Sequence, residues 1–317
     1  MTGPDQSLGI RIWLIIFIAC TIGAISFTYD GFHFSTLAVW EISLVCAVYC
    51  RVLMRYRETH KFASIIDAWL QITFVSLFGV TIAYSAATSH APLIDKWLLS
   101  EDRYIGYNWL GYLKFAGSNE FVQWALYNAY LSCFWQPLLL ALILNLVNKQ
   151  VKYEIFILSM LAGLIITTFV FIFCPATTAW SFLGQDRLAS STLALAPTSG
   201  ESWIAAVIEI RQGGGRLISD PQGVIAFPSF HCVMALLNIR AAWSVKIIRI
   251  PFIILNVMMI ASAPLFGGHY VMDLIAGGLV AILAVGLGAA IHRLARGINF
   301  PMMQRLAPEP VSLLVKK

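Results

Sequence analysis

Apolar residues run along this chain in long blocks separated by short polar clusters, and the blocks are too apolar to leave a water-facing side. Eight of them, residues 10–29, 35–54, 65–87, 120–146, 154–174, 229–245, 248–264 and 271–291, fall in or near the range of about 17 to 25 residues that a helix needs to cross the bilayer hydrocarbon. The sixth and seventh are at the short end and almost touch, and the second carries Glu41. Backbone groups inside hydrocarbon must be paired within their own segment, so the pattern predicts an all-α polytopic membrane protein of about eight transmembrane helices. Composition agrees: 59% of the 317 residues are hydrophobic, 12% are charged, and the mean hydropathy is +0.78. The first block follows one early arginine, Arg11, and shows no small-residue cleavage signature before Tyr29, which predicts a retained helix rather than a removed signal peptide.

The net charge of +5 changes the picture only through its distribution. Basic residues sit at block ends, which points to membrane topology and away from nucleic acid. Fifteen of the 21 lysines and arginines fall on one side of the eight-block arrangement and six on the other. The expectation is an integral protein of a bacterial inner membrane with both termini cytoplasmic. Segments 88–119, 175–228 and 265–270 then share the periplasmic face. The six cysteines show no metal-ligand spacing and read as small packing residues.

Two of these segments exceed a plain connection. Residues 92–119 are too polar to span and too aromatic for a free loop. Trp97, Leu98, Tyr104, Ile105, Trp109 and Leu110 predict an apolar side for interfacial helices, which either cap the bundle or guide a lipid sideways from the bilayer. Residues 175–228 pass through a stretch of small and hydroxyl residues at 189–202 and the apolar piece WIAAVIEI, then open into Arg211-Gln212-Gly213-Gly214-Gly215-Arg216. A connection of more than about fifteen residues in a compact protein usually carries function.

Two histidines lie on that same predicted face. In Gly267-Gly268-His269-Tyr270-Val271-Met272-Asp273, the acid falls one helical turn beyond the imidazole, so it can hold one ring nitrogen and leave the other as a nucleophile. Gly268 lets the backbone approach an anion. In Pro228-Ser229-Phe230-His231, Ser229 reads as an N-cap, and the amides after it are placed to receive phosphate oxygens. One histidine can attack while the other protonates the departing oxygen. Taken singly, each more often reads as a hydrogen-bonded interfacial residue; their common face, the glycines and the cap make the joint reading catalytic.

These residues resemble the type 2 phosphatidic acid phosphatase superfamily, and within it the branch similar to inositol phosphorylceramide synthases. Pro228, Ser229 and His231 match the Pro-Ser-x-His motif that supplies the acid, and His269 and Asp273 match the later motif that supplies the nucleophile and its orienting aspartate. The resemblance runs from about residue 60 to 292 and includes Asp102 to Gly106 and Cys174-Pro175-Ala176-Thr177. It implies a PAP2-like catalytic bundle formed by the last six helices (60–292), an accessory N-terminal pair (1–59) that offers a surface for a homodimer, and a cytoplasmic tail (293–317).

The chain departs from the family pattern in three places. The early lysine–arginine–proline motif is absent, Ala263 stands where an arginine precedes the nucleophile by six residues, and Phe230 replaces the usual glycine. Arg211 and Arg216, with Arg187 as a further contact, are the candidates to meet the phosphate charge. The expected activity is hydrolysis of a membrane lipid phosphate ester that reaches the site from the bilayer, through a phosphohistidine, with no metal and no cofactor. Transfer of the phospho-headgroup to an alcohol instead of water is the second reading. A non-catalytic lipid transporter or binding protein is the third.

Overall fold

A computed structural model describes residues 3–56, 60–183, 192, 207–219 and 223–297. Eleven α-helices are delimited among the described residues: α1 (Gly3–Tyr29), α2 (Thr36–Tyr56), α3 (His60–Ala87), α4 (Asp95–Tyr104), α5 (Trp109–Gly117), α6 (Glu120–Leu146), α7 (Gln150–Phe173), α8 (Ala179–Phe182), α9 (Phe230–Ala242), α10 (Lys246–Phe266) and α11 (Val271–Gly297). Two-residue strands β1 (His33–Phe34) and β2 (Leu217–Ile218) pair in parallel and tie the segment bearing Arg211 and Arg216 to the turn after α1.

Six of the helices, rather than eight, are long and apolar enough to cross a membrane: α1, α3, α6, α7, α10 and α11. The two that drop out do so for different reasons. Within α2, only residues 43–52 form an apolar stretch; it carries Arg51 near its end and is flanked by Glu41 and Arg55. The block at 229–245 ends as a helix at Ala242, where Val245 N–H turns back to the Ala242 carbonyl. The 13 residues of α9 rise about 20 Å, short of the roughly 30 Å of hydrocarbon. Large apolar side chains such as Phe17, Ile25, Phe169 and Ile282 remain exposed on the long helices, as lipid-facing positions require.

The core runs through α7, which packs closely on α11 and also touches α3 and α9. Small residues set that approach. A Cβ at Gly288 of α11 would lie 2.3 Å from the Ser159 hydroxyl of α7, and one at Gly163 of α7 would lie 3.0 Å from Val233 of α9. Several charged residues in this interior have partners. Glu154 meets His292 at 2.9 Å, linking α7 to α11. Asp67 accepts from Trp13 and Gln71, linking α1 to α3. Arg11 donates to the Ala295 carbonyl at the end of α11.

The 92–119 segment forms two helices, but the face turned inward differs from the aromatic side the sequence suggests. Trp97, Tyr104, Ile105 and Leu110 are exposed, while Asp95, Leu98 and Asp102 are buried on α4 and Trp109 and Leu113 on α5. Positions 95, 98 and 102 recur at helical spacing. Their acids turn inward because backbone amides wait there, and the aromatic residues face outward as an interfacial setting allows. Of the long connection, Arg187, residues 189–202 and 203–206 lie outside the described residues except for position 192, as does 298–317 of the tail.

Candidate active site

His269 sits in the short turn between α10 and α11, and both flanking helix ends are held by neighbours. The last carbonyls of a helix lack intrahelical donors. At the end of α10, the Pro264 carbonyl accepts from the Trp109 and Trp180 indoles, each at 3.2 Å, and the Ala261 carbonyl accepts from the Tyr112 hydroxyl at 2.8 Å. At the start of α11, the first amides have no partner within the helix either. Asp102 reaches across from α4 and takes Val271 N–H on Oδ2 at 2.9 Å and Met272 N–H on Oδ1 at 3.1 Å. It is an N-cap supplied by a different helix, and a carboxylate there also complements the helix dipole. Burial lifts the Asp102 carboxyl above its usual range while the two amides draw it back.

Asp95, two turns back on the same face of α4, fixes the other wall. Its carboxylate receives Thr177 N–H at 3.0 and 3.1 Å, the Thr177 hydroxyl at 2.7 Å and the Tyr270 hydroxyl at 3.1 Å. The Gly268 carbonyl accepts from Ala179 N–H at 2.8 Å. Gly268 has φ +62°, and a Cβ on it would lie 2.5 Å from Thr178. The glycine is needed for both the left-handed turn and this close packing.

Within this frame, His269 Nδ1 lies 3.2 Å from Asp273 Oδ2, which also accepts Tyr270 N–H at 2.9 Å. Both side chains are buried. Burial pushes the His269 ring down to about 4, with the Ala226 carbonyl pulling the other way, so the imidazole is neutral at pH 7. Gly267 leaves the ring's far edge uncrowded, since a Cβ there would lie 3.1 Å from Nε2.

His231 is brought to the same place by the junction of α9 with α11. Ser229 N–H donates to the Asp273 carbonyl at 3.0 Å. Gly277, one turn further along α11, makes room for the Ser229 carbonyl, which a Cβ would meet at 2.5 Å. The Ser229 hydroxyl accepts from Cys232 N–H at 3.4 Å, so it is the N-cap of α9. The Phe230 and His231 amides belong to the first turn, which lacks intrahelical carbonyls. The His231 ring then lies with its centroid 5.9 Å from that of His269, the planes inclined at 64°. Tyr130 of α6 stacks on the His231 ring, at 4.2 Å and 19°. His231 Nε2 and Asp273 Oδ1 are buried without a hydrogen-bond partner.

The two described arginines of the long connection have contacts of their own. Arg211 donates to the Ala91 carbonyl at 2.7 Å, four residues before Asp95. Arg216 lies over the Phe32 ring at 4.5 Å, with one Nη1 lacking a partner. Arg187 lies outside the described residues. Among the described residues, no lysine or arginine takes part in the ring contacts or hydrogen bonds given for either histidine. Among the described residues, no three His, Cys, Asp or Glu side chains converge as metal ligands.

Tyr130, Asp95 and Gly277 are the members of the site that motif reasoning passes over, and Asp102 enters it only as the first residue of the Asp102 to Gly106 element, with no role assigned. The two acids carry a signal in hindsight, seven residues apart on one face of an otherwise aromatic segment; Tyr130 carries none. Replacing Asp102 by alanine strands two buried amides and is expected to destabilise the protein by about 1–2 kcal/mol. Asparagine, which keeps one acceptor, should cost less. Thermal unfolding of the detergent-solubilised variants checks the order; equal midpoints for wild type and Asp102→Ala would contradict it.

No curated protein and no solved structure matches the chain. Residues 96–287 match the PAP2 superfamily. That match covers more than half of the 317 residues and takes in Asp102, both histidines and Asp273. The chain belongs to the PAP2 superfamily.

Proposed function

We propose that the protein is a lipid phosphatase that hydrolyses a membrane lipid phosphate ester through a phosphohistidine. The observation that carries this reading is the approach of two imidazoles to 5.9 Å, one tied through Nδ1 to a buried aspartate and the other with an orphaned, buried Nε2. A phosphate between them supplies what that Nε2 lacks. It also meets the first-turn amides of α9, which favour an anion.

In this reading His269 holds its proton on Nδ1 against Asp273 and attacks phosphorus through Nε2. The charge of the incoming phosphate draws a proton onto His231, which passes it to the lipid oxygen as the P–O bond breaks. Asp273 stabilises the imidazolium-like phosphohistidine. His231, now neutral, takes a proton from water; the water oxygen bonds to phosphorus, the P–N bond breaks, and inorganic phosphate leaves. Tyr130 keeps the His231 ring turned towards His269 throughout. The amides of α9 and an arginine from the 187–216 connection balance the charge on the phosphoryl oxygens, and no metal enters the scheme. The lipid reaches the site from the bilayer on the extracytoplasmic side.

The polar residues inside the long helices do not favour a transport pathway, because Asp67 and Glu154 are each bonded to neighbours and Glu41 is exposed on α2. The choice of acceptor is testable directly. Purified protein in mixed micelles with phosphatidic acid and an added alcohol such as inositol is expected to release inorganic phosphate as its main product. Transfer to the alcohol without appreciable phosphate release would replace this reading with the phosphotransferase one, the activity of the synthase branch.

A further inference from the structure

At the end of the bundle away from the histidines, a shallow, open groove lies between α7, α9 and α11. It exists because α9 is short. Its last turn, with Arg240, lies about 14 Å of helix from His231, and the chain then turns back into α10. Lys152 reaches the groove from the first turn of α7 and Arg240 from the last turn of α9; between them lie Ile155, Phe156, Leu237 and Val285.

Neither cation has a carboxylate within ion-pairing distance among the described residues. Glu154, the nearest acid in sequence, is turned to His292. A single arginine in a last helical turn needs no more explanation than the helix dipole. Two cations from different helices, converging on one apolar groove at a membrane boundary, have a shared chemistry: a negative headgroup above a hydrocarbon chain. Lys149, Lys246 and Arg249 begin or adjoin helices at this same end, so its surroundings are basic as well.

We propose that this groove binds an anionic phospholipid of the adjacent leaflet. Its phosphate lies between Lys152 and Arg240, and an acyl chain runs over the half-buried Ile155 and Val285. The bound lipid bridges α7 and α9 and stabilises the packing of α7, α9 and α11. The site is separate from the histidine pair and does not depend on the reaction assigned to it.

The test reconstitutes the full chain into nanodiscs of phosphatidylcholine with or without phosphatidylglycerol and follows thermal unfolding, with native mass spectrometry reporting retained lipid. Phosphatidylglycerol is expected to raise the midpoint of the wild type by about 3 °C or more and to remain bound. The Lys152→Gln/Arg240→Gln double variant, whose changes are at partly exposed positions, should lose both effects. Val285→Phe, which fills the groove and leaves the cations intact, should lose them too. A shift that persists in Val285→Phe would reduce the effect to general surface charge and overturn the proposal. A persistent shift in the double variant, or the same shift from soluble glycerol 3-phosphate in phosphatidylcholine discs, would also overturn it.

Discussion

Replacing His269 by alanine is expected to lower kcat on a lipid phosphate by about 10⁴-fold or more, with KM changed far less. The ring is the group that forms the bond to phosphorus, and nothing nearby can substitute for it: Asp273 lies behind it at 3.2 Å and Gly267 has no side chain. Because burial holds the ring at about 4, the free enzyme keeps its nucleophile neutral well below the ordinary imidazole range. Protonation removes the nucleophile, so its contribution to kcat/KM is lost as pH falls through that low value. With the substrate's own ionisation divided out, the profile on a lipid phosphate monoester should show an acid limb near 4; a limb at about 6.5, the ordinary histidine value, would mean a solvated ring.

His231→Ala is expected to produce the second largest effect, and its size should depend on the substrate. General acid help is worth about 10²- to 10⁴-fold where the leaving alkoxide is a poor one. With p-nitrophenolate, which departs without a proton, the loss should shrink by at least about tenfold. Kinetics on paired lipid and aryl phosphate esters make the comparison. Equal losses on both substrates would mean that His231 holds phosphate or supports the fold. The stacked Tyr130 ring and the Ser229-to-Asp273 backbone bond bear on this experiment, because they fix where the imidazole points and should keep the variant's backbone in place.

Much of the helical architecture could be read from the chain, and the exceptions have physical causes. Hydrophobic blocks report length well when the helix runs to the end of the block. At 229–245 it does not: Trp243, Ser244 and Val245 continue the apolar composition but form the turn into α10. At 35–54 the block holds charges that a span of 21 residues does not tolerate. The histidines and Asp273 could be singled out because their chemistry depends on short local spacings, four residues from His269 to Asp273 and two from Ser229 to His231. Asp95 and Asp102 were harder to see, since their partners, Thr177 and the Val271 and Met272 amides, lie 82, 169 and 170 positions away. An amphipathic reading of α4 assigns its acids to water, whereas the helix ends beside them need capping more than the surface needs charge. Gly277 likewise looks like one small residue among many in α11 until the Ser229 carbonyl is placed against it.

The two-histidine account is tested most directly by trapping the phosphoryl group. Purified protein is mixed with a ³²P-labelled lipid phosphate, quenched in alkali to preserve phosphoramidate bonds, digested and mapped by mass spectrometry. The label should reside on the peptide containing His269, accumulate further in His231→Ala when an aryl phosphate is the donor, and be absent from His269→Ala. Label on His231, or turnover by His269→Ala at the wild-type rate, would contradict it.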